Sequence, residues 1–266
     1  MIVSVFASGS SGNCALLSEG ETHLLIDAGI SLRRTAAALR QAGHSIDEVT
    51  GVLMTHEHSD HVCGLPMLIK SHPLPVFAPH TVANRPRGMY PVLEDVLRII
   101  PTEEAFPVGS LRVTAFHNSH DTDECVGYRF EGRGVYGHAT DTGVVTEGMR
   151  RYLAGADTVL LESNHDVELL LAGRYPFPLK RRILSGQGHL SNTDCAALAE
   201  KLVAHGTETV ILGHISRHNN TPAMALRTVS DALREALPEL LQPELSAAPE
   251  CGPLAVEVKV SAPCSL

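Results

Sequence analysis

The sequence predicts an α/β (α+β) chain in which two β-sheets are covered by helices. Three observations carry that reading. Short apolar runs punctuated by Gly and Ser open the chain, and strand and helix patterns alternate through its second half. Of its 266 residues, 44% are hydrophobic, enough to bury a substantial core. With no repeat or low-complexity linker to divide it, the chain reads as a single domain over residues 1–266.

"MIVSVFA", "CALLSEG" and "THLLIDAG" are β-branched or apolar runs that form an opening antiparallel meander. Ser31 caps a helix running to Gln41, with Leu32, Ala36 and Leu39 on one face and Gly43 just beyond its end. "EVTGVLMT" is a buried strand that delivers "THEHSDH" at residues 55–61. Gly64 to Lys70 forms a short helix, closed by the proline-rich "SHPLPVFAP". "LRVTAFHN", "VGYRFEG" and "GVYGHATD" are three further strands. Helices at 146–154 and 166–173 flank the buried strand "DTVLLES". "NTDCAALAEKLVAHG" is a helix capped by Asn192 or Thr193 and ended by Gly206. The strand "TETVILGH" and the helix "TPAMALRTVSDALREAL" follow. "LAVEVKV" closes the chain as an alternating strand, reached through the looser "PELLQPELSAAPECGP".

No run of about 18 apolar residues exists, and "MIVSVFASGS" lacks a basic segment followed by a long apolar one. These features argue against a membrane span and a signal peptide and point to a cytoplasmic protein. Cysteines 14, 63, 125, 195, 251 and 264 form no CxxC pair, which suits reduced thiols packed as small hydrophobes. A net charge of −9 argues against a general coat for nucleic acid, so any polyanion contact is local. Fifteen histidines exceed what core packing asks for, and imidazole is the commonest metal ligand.

Three of those histidines and two acids crowd into "THEHSDH". On a helix His56, His58 and His61 would diverge, and on a strand Asp60 and His61 would face opposite ways. The stretch therefore reads as a loop. It also holds more donors than one tetrahedral ion shares with other parts of a chain.

An H-x-H-x-D-H loop just past a buried strand resembles that of the metallo-β-lactamase fold superfamily. The resemblance implies a four-layer αββα sandwich of two mixed β-sheets flanked by helices. It also implies two divalent ions, completed by a histidine, an aspartate and a final histidine at the ends of later strands. In "AFHNSHD" the choice for the first of these lies between His117 and His120. His117 shares a strand face with Val113 and Ala115, which suits a structural role, so His120 is preferred. "ATDTG" looks like the bridging-aspartate motif and assigns Asp141, with an Asx-turn as the bland alternative. His214 in "TVILGHIS" matches the final histidine.

The implied set places His56, His58 and His120 on one ion and Asp60, His61 and His214 on the other, with Asp141 between them. Asp60 then counts as catalytic as well as ligating. Asp27 in "LLIDAG" matches an early aspartate that orients ligands rather than binding metal. Neutral imidazoles with carboxylates suit Zn2+ or Mn2+, with Fe also admissible.

"ASGSSGN", "LLIDAGIS", "LESNHD", "GHLSN" and "LGHISRHNN" together resemble the WalJ/YycJ-type exonuclease branch, over residues 2–230. Asp141 and His214 are 73 residues apart, which leaves no room for the inserted domain of β-CASP nucleases. No flavodoxin-like appendage of the diiron oxidoreductases follows, and Cys63 is not at the cysteine ligand position of true β-lactamases. Arg217-His218 departs from the Lys-acid pair that this branch implies and weakens any role carried to position 218.

His189 is left over from the ligand set and is a candidate proton donor or phosphate contact near the start of a helix; a surface histidine is the bland alternative. Ser11, Asn13, Asn164, His165, Ser191, Asn192 and Asn219 are candidates for supporting the ligands or touching substrate, and Ser191 and Asn192 also suit helix caps. Lys180 and Arg181, with Arg174 and Arg182, are the best cationic groove, and Arg33 and Arg34 a second; a solvated helix face explains such runs equally well. Gly9 to Asn13 suits a phosphate cradle or a hairpin turn. The expected activity is attack of a metal-bridging hydroxide on a phosphodiester, in a DNA exonuclease of 5′ to 3′ type. A cyclic or small-molecule phosphodiesterase, an RNA-processing nuclease and a metal-dependent binding module without turnover are the alternatives.

Overall fold

The computed structural model describes residues 1–258, apart from the side chains of residues 85–87 and 89; Cys264 and the end of "LAVEVKV" lie outside the described residues. The opening meander forms as predicted from β1 (Ile2–Ala7), β2 (Cys14–Glu19) and β3 (Thr22–Ile26). Three short strands, β4 (Gly51–Leu53), β5 (Val76–Ala78) and β6 (Leu97–Ile99), extend this sheet in parallel. A second sheet holds β7 (Ala105–Val108), β8 (Leu111–Asn118), β9 (Cys125–Glu131) and β10 (Val135–Ala139) in antiparallel order. It continues in parallel through β11 (Thr158–Glu162), β12 (Thr209–Gly213) and β13 (Glu244–Ala247). The chain returns to the first sheet in β14 (Leu254–Glu257), which pairs with β1. Each sheet thus has seven strands.

Alternation along the strands divides the apolar side chains among three cores. Leu24 and Ile26 of β3 face the second sheet, meeting Tyr128, Phe130 and Leu160, while Leu25 faces outward. On that outer side lie α1 (Leu32–Gln41), the single turn α2 (Ser59–Val62), α3 (Leu65–Ser71) and α4 (His80–Met89). Beyond the second sheet, Val159, Leu161, Val210 and Leu212 pack against α5 (Glu147–Leu153), α8 (Asn192–Ala204) and α9 (Pro222–Ala236). Between α5 and α8 in the chain come α6 (Val167–Ala172) and α7 (Phe177–Ile183). Helix, sheet, sheet, helix is the four-layer αββα order that the resemblance implies. β11 and β12 are buried at every residue, which is why "TVLLE" and "TVILG" read as unbroken apolar runs.

Several elements depart from expectation for identifiable reasons. The strand read over "EVTGVLMT" shrinks to three residues, because Ser45 and Glu48 form a reciprocal cap that draws 46–48 into a helical turn. "SHPLPVFAP" hides β5 between its prolines, and β13 runs inside the looser C-terminal stretch as an edge strand on β12. Both owe their form to pairing partners distant in sequence. α8 is capped by Ser191, whose Oγ accepts from the Asp194 N–H at 3.1 Å, so Asn192 and Thr193 lie inside the helix. Cys14, Cys125 and Cys195 are buried as small hydrophobes, whereas Cys63 and Cys251 are exposed.

Candidate metal centre

The site lies where several strands end. Asp27 follows β3, residues 55–61 follow β4, His120 follows β8, Asp141 follows β10, Glu162 closes β11 and His214 follows β12. "THEHSDH" is not the plain loop the sequence suggests. His58, with extended backbone, caps the N-terminal end of α2, and Asp60 and His61 occupy that single helical turn. The change from extended to helical backbone aims residues from both halves at one region. Three long-range bonds pin the segment: Val126 N–H to Thr55 O (3.0 Å), Asn13 N–H to Asp60 O (2.7 Å) and Ala28 N–H to His61 O (2.9 Å). Gly29 allows this crossing, since a Cβ there would lie 1.6 Å from Asp60 O.

Asp27, Asp141 and His214 all adopt left-handed backbone, with φ of 59°, 58° and 52°. Such a conformation costs a non-glycine residue about 1 kcal/mol or more, so surrounding bonds must hold it. Those bonds are present. Asp27 Oδ1 accepts from Thr55 N–H at 2.8 Å, the Thr142 N–H beside Asp141 donates to Glu162 at 2.8 Å, and the His214 N–H donates to Ser8 Oγ at 2.8 Å.

The four buried imidazoles of the cluster, His56, His61, His120 and His214, are each oriented through Nδ1, which leaves Nε2 toward the cluster. His61 Nδ1 lies 2.7 Å from Asp27 Oδ2, and His120 Nδ1 lies 3.0 Å from Gly188 O. Thr55 Oγ1 donates to Asp27 Oδ2 at 2.8 Å and so accepts from His56 Nδ1 at 3.0 Å, fixing that tautomer. His214 Nδ1 lies 2.9 Å from Glu162 Oε1. Burial depresses the His61 and His214 basicity, but facing carboxylates outweigh it: Asp27 and Asp141 hold His61 well above the usual range, and Asp141, Asp60 and Glu162 bring His214 to about 10. Burial would raise the Asp141 carboxyl; His214 and His61 hold it well below the usual carboxylate range.

The donor set fits divalent cations. Nε2 of His56, Nε2 of His214 and Oδ2 of Asp141 are buried and make no hydrogen bond among the described residues. The oppositely charged groups nearby are cluster members themselves, His61 Nε2 at 3.3 Å from Asp141 Oδ2 and Asp141 Oδ1 at 3.5 Å from His214 Nε2, a crowding that a shared cation would relieve. Their neighbours converge in overlapping groups, His56–His58–His120, His56–His61–Asp141 and Asp60–His61–His214, each with donor atoms within 4.8 Å of one another. These groups could hold two ions with Asp141 near both. A fourth group joins Asp141, Glu162, His189 and His214. Glu162 there already accepts from Nδ1 of both His189 (2.8 Å) and His214 (2.9 Å), so it orients imidazoles rather than competing for a cation.

Glu162 is the site residue that sequence reasoning missed. It closes β11 in full burial and also accepts from Thr142 N–H (2.8 Å) and Leu190 N–H (3.2 Å). Burial would raise its pKa, but His189 and His214 lower it below the ordinary range. A carboxylate at the end of a fully buried strand was its one sequence signal. His189 precedes α8 by three residues rather than starting it, and its Nδ1 also lies 3.7 Å from Asp141 Oδ1.

The remaining expected residues divide. Asn13 Nδ2 lies 2.9 Å from His61 Nε2 and 3.4 Å from Asp60 Oδ2, and Asn164 donates to His214 O at 2.8 Å. Ser11 instead donates to Glu250, and the neighbouring Ser10 lines the cavity. Gly9 N–H is used by Asn13 Oδ1 and Gly12 N–H by Gly9 O, so the loop is a self-bonded turn rather than a phosphate cradle. Asn192 bonds Ser163 and Asn220 in a buried network, and the buried Asn219 bonds Ser216, which lines the cavity. His165 is buried away from the cavity lining. His117 is exposed beside Glu124 and takes no part in the cluster. Lys180 donates to Leu171 O, Arg182 pairs with Asp121, and neither Arg33 nor Arg34 lines the cavity.

The cluster opens into a cavity of about 260 Å³, walled by His58, Asp60, His120, Asp141, His189 and His214 on one side and by Tyr175, Leu179, Arg182 and Ile183 on another. Two facing mixed sheets with this donor set at their strand ends define a metal-dependent hydrolase of the metallo-β-lactamase fold. The beta-lactamase superfamily domain matches residues 22–215, and the chain belongs to that family, in its WalJ/YycJ branch. It is 39% identical to the exodeoxyribonuclease YycJ of Bacillus anthracis over 241 residues, covering 87% of this chain and 89% of that one. It is 33% identical to the exodeoxyribonuclease WalJ of Streptococcus pneumoniae, over 88% of each. Among solved structures, Zn(2+)-bound PqqB from Methylobacterium extorquens shares the fold with a TM-score of 0.73 at 20% identity, over 97% of this chain and all of that one. Among the described residues, no helix is long and apolar enough to cross a membrane.

Proposed function

We propose that this chain hydrolyses phosphodiesters in DNA as an exonuclease of 5′ to 3′ type, using His56, His58 and His120 on one ion, Asp60, His61 and His214 on a second, and Asp141 between them. The observation that carries it is the set of orphaned donor atoms beside a cavity whose rim bears His189. The exodeoxyribonuclease names of the relatives support DNA as substrate. Bound there, two divalent ions supply a water of lowered pKa and neutralise charge at phosphorus.

The chain's own residues do the rest. Asp27 and Glu162 lock the imidazole rings so that binding costs little reorganisation. His189, its Nδ1 held by Glu162, presents Nε2 to the cavity and donates a proton or hydrogen bond to the departing or non-bridging oxygen. Glu162 steadies the charge on that ring.

Metal-reconstituted protein should release nucleotides from 5′-labelled single- and double-stranded DNA and also cleave bis-p-nitrophenyl phosphate. Turnover of the small diester with intact DNA would sink the nuclease reading in favour of a small-molecule phosphodiesterase, which a cavity of about 260 Å³ also accommodates. Charge reversal at Lys180 and Arg181 should flatten the salt dependence of DNA binding by about 0.9 in the log–log slope for each phosphate no longer neutralised. An unaltered slope removes these two residues from the DNA path.

A further inference from the structure

We infer that α7 separates the strands of a duplex end, passing one strand into the metal cavity and leaving the other on its outer face. The inference rests on the nuclease reading and deepens it. The cavity of about 260 Å³ is close to the roughly 300 Å³ at the lower end of small-molecule sites, room for a single nucleotide rather than a stacked base pair. A duplex end must therefore open before its terminal phosphodiester reaches the metals, and unstacking has to be offset by new contacts.

α7 stands at that entrance with two different faces. Leu179, Arg182 and Ile183, spaced i, i+3, i+4, line the cavity, with Tyr175 just ahead of the helix at the same wall. Tyr175 is set edge-on to His218, ring centroids 5.8 Å apart, which leaves an aromatic surface for an entering base. Phe177, Arg181 and Leu184, spaced i, i+4, i+7, lie on the opposite face, and Phe177 is 71% exposed. An aromatic ring held in water on a surface helix loses apolar burial unless something covers it.

The surrounding segment is built the same way. Five of the twelve large hydrophobics exposed among the described residues fall between Val167 and Leu184. The same stretch carries four bases, Arg174, Lys180, Arg181 and Arg182, against the single acid Glu168, in a chain of net charge −9. Arg174 and Arg181 hold no ion pair among the described residues. Apolar and aromatic side chains interleaved with cations match unpaired nucleotides, whose bases stack while their phosphates are neutralised. A second copy of this chain would bring the same cations against themselves, so DNA is the occupant that the charge favours.

The test compares a blunt duplex with the same duplex carrying a frayed, unpaired 5′ end, using the metal-loaded full chain. Phe177→Ala should lower kcat/KM on the blunt duplex about tenfold relative to the frayed one, because the frayed end needs no opening. Phe177→Trp should restore the wild-type ratio. Equal losses on both substrates, or none, overturn the strand separator while leaving the nuclease reading intact. A wild type that cleaves neither DNA but turns over bis-p-nitrophenyl phosphate overturns the nuclease reading and the separator with it. A dimer in sedimentation that Phe177→Ala dissociates also overturns it, since the face then belongs to a second copy.

Discussion

Removing the metals should abolish cleavage of both DNA and bis-p-nitrophenyl phosphate, and returning Mn2+ or Zn2+ should restore it. The reason lies in the donors. His56 Nε2, His214 Nε2 and Asp141 Oδ2 are buried with no hydrogen-bond partner among the described residues, so without cations the cluster holds polar atoms that the protein leaves unsatisfied. Protons compensate in part, since Asp141, Asp60 and Glu162 draw His214 up to about 10 despite its burial. That ring must lose its proton to bind a cation, which makes metal affinity fall as pH drops. Stability should follow occupancy: an ion present at about 100 times its Kd adds about 2.7 kcal/mol, or a melting shift of several degrees in a chain of this size. Full turnover in protein shown by elemental analysis to be metal-free would refute the centre.

His189→Ala should lower kcat about 10²-fold or more while two ions remain bound. The ring lies at the cavity wall, one-fifth exposed, outside the three groups formed by the seven expected ligands, and its Nδ1 is held by Glu162 at 2.8 Å. Loss of the side chain therefore removes a donor without opening the metal site. Glu162→Gln separates the two roles of that carboxylate: because it also orients His214, it should weaken metal binding as well as slow turnover, by about 10- to 100-fold in affinity. Unchanged turnover in His189→Ala would exclude that ring from the mechanism. Loss of metal in the same variant would make it a ligand instead.

The site was legible where spacing along the chain equals proximity in space. His56, His58, Asp60 and His61 stand within one segment, and their crowding alone demands a cation or costly repulsion. His120, Asp141 and His214 were placed by resemblance to the family's motifs, at the ends of strands that the sequence pattern shows. Glu162 escaped because its bonds to His189 and His214 join three elements, and "TVLLE" read only as buried β-structure. Ser10 rather than Ser11 lines the cavity, a distinction the sequence hides because a turn's outward side cannot be told from its inward side before the turn is built. The short strands β5, β6, β7 and β13 carry too few residues for a pattern and exist because a neighbouring strand offers them hydrogen bonds.

Chemistry was in the sequence: which donors are present, and that they follow strands, two of which, β11 and β12, are buried on both faces. Those properties follow from local spacing and from the periods of helix and strand. Direction was decided by the tertiary structure alone. Left-handed backbone at Asp27, Asp141 and His214 turns their side chains into one volume; Asp and His tolerate that conformation better than most residues, but it still costs more than the right-handed or extended one. It persists because bonds from Thr55, Thr142 and Ser8, brought from distant parts of the chain by the packing of two sheets, hold it in place.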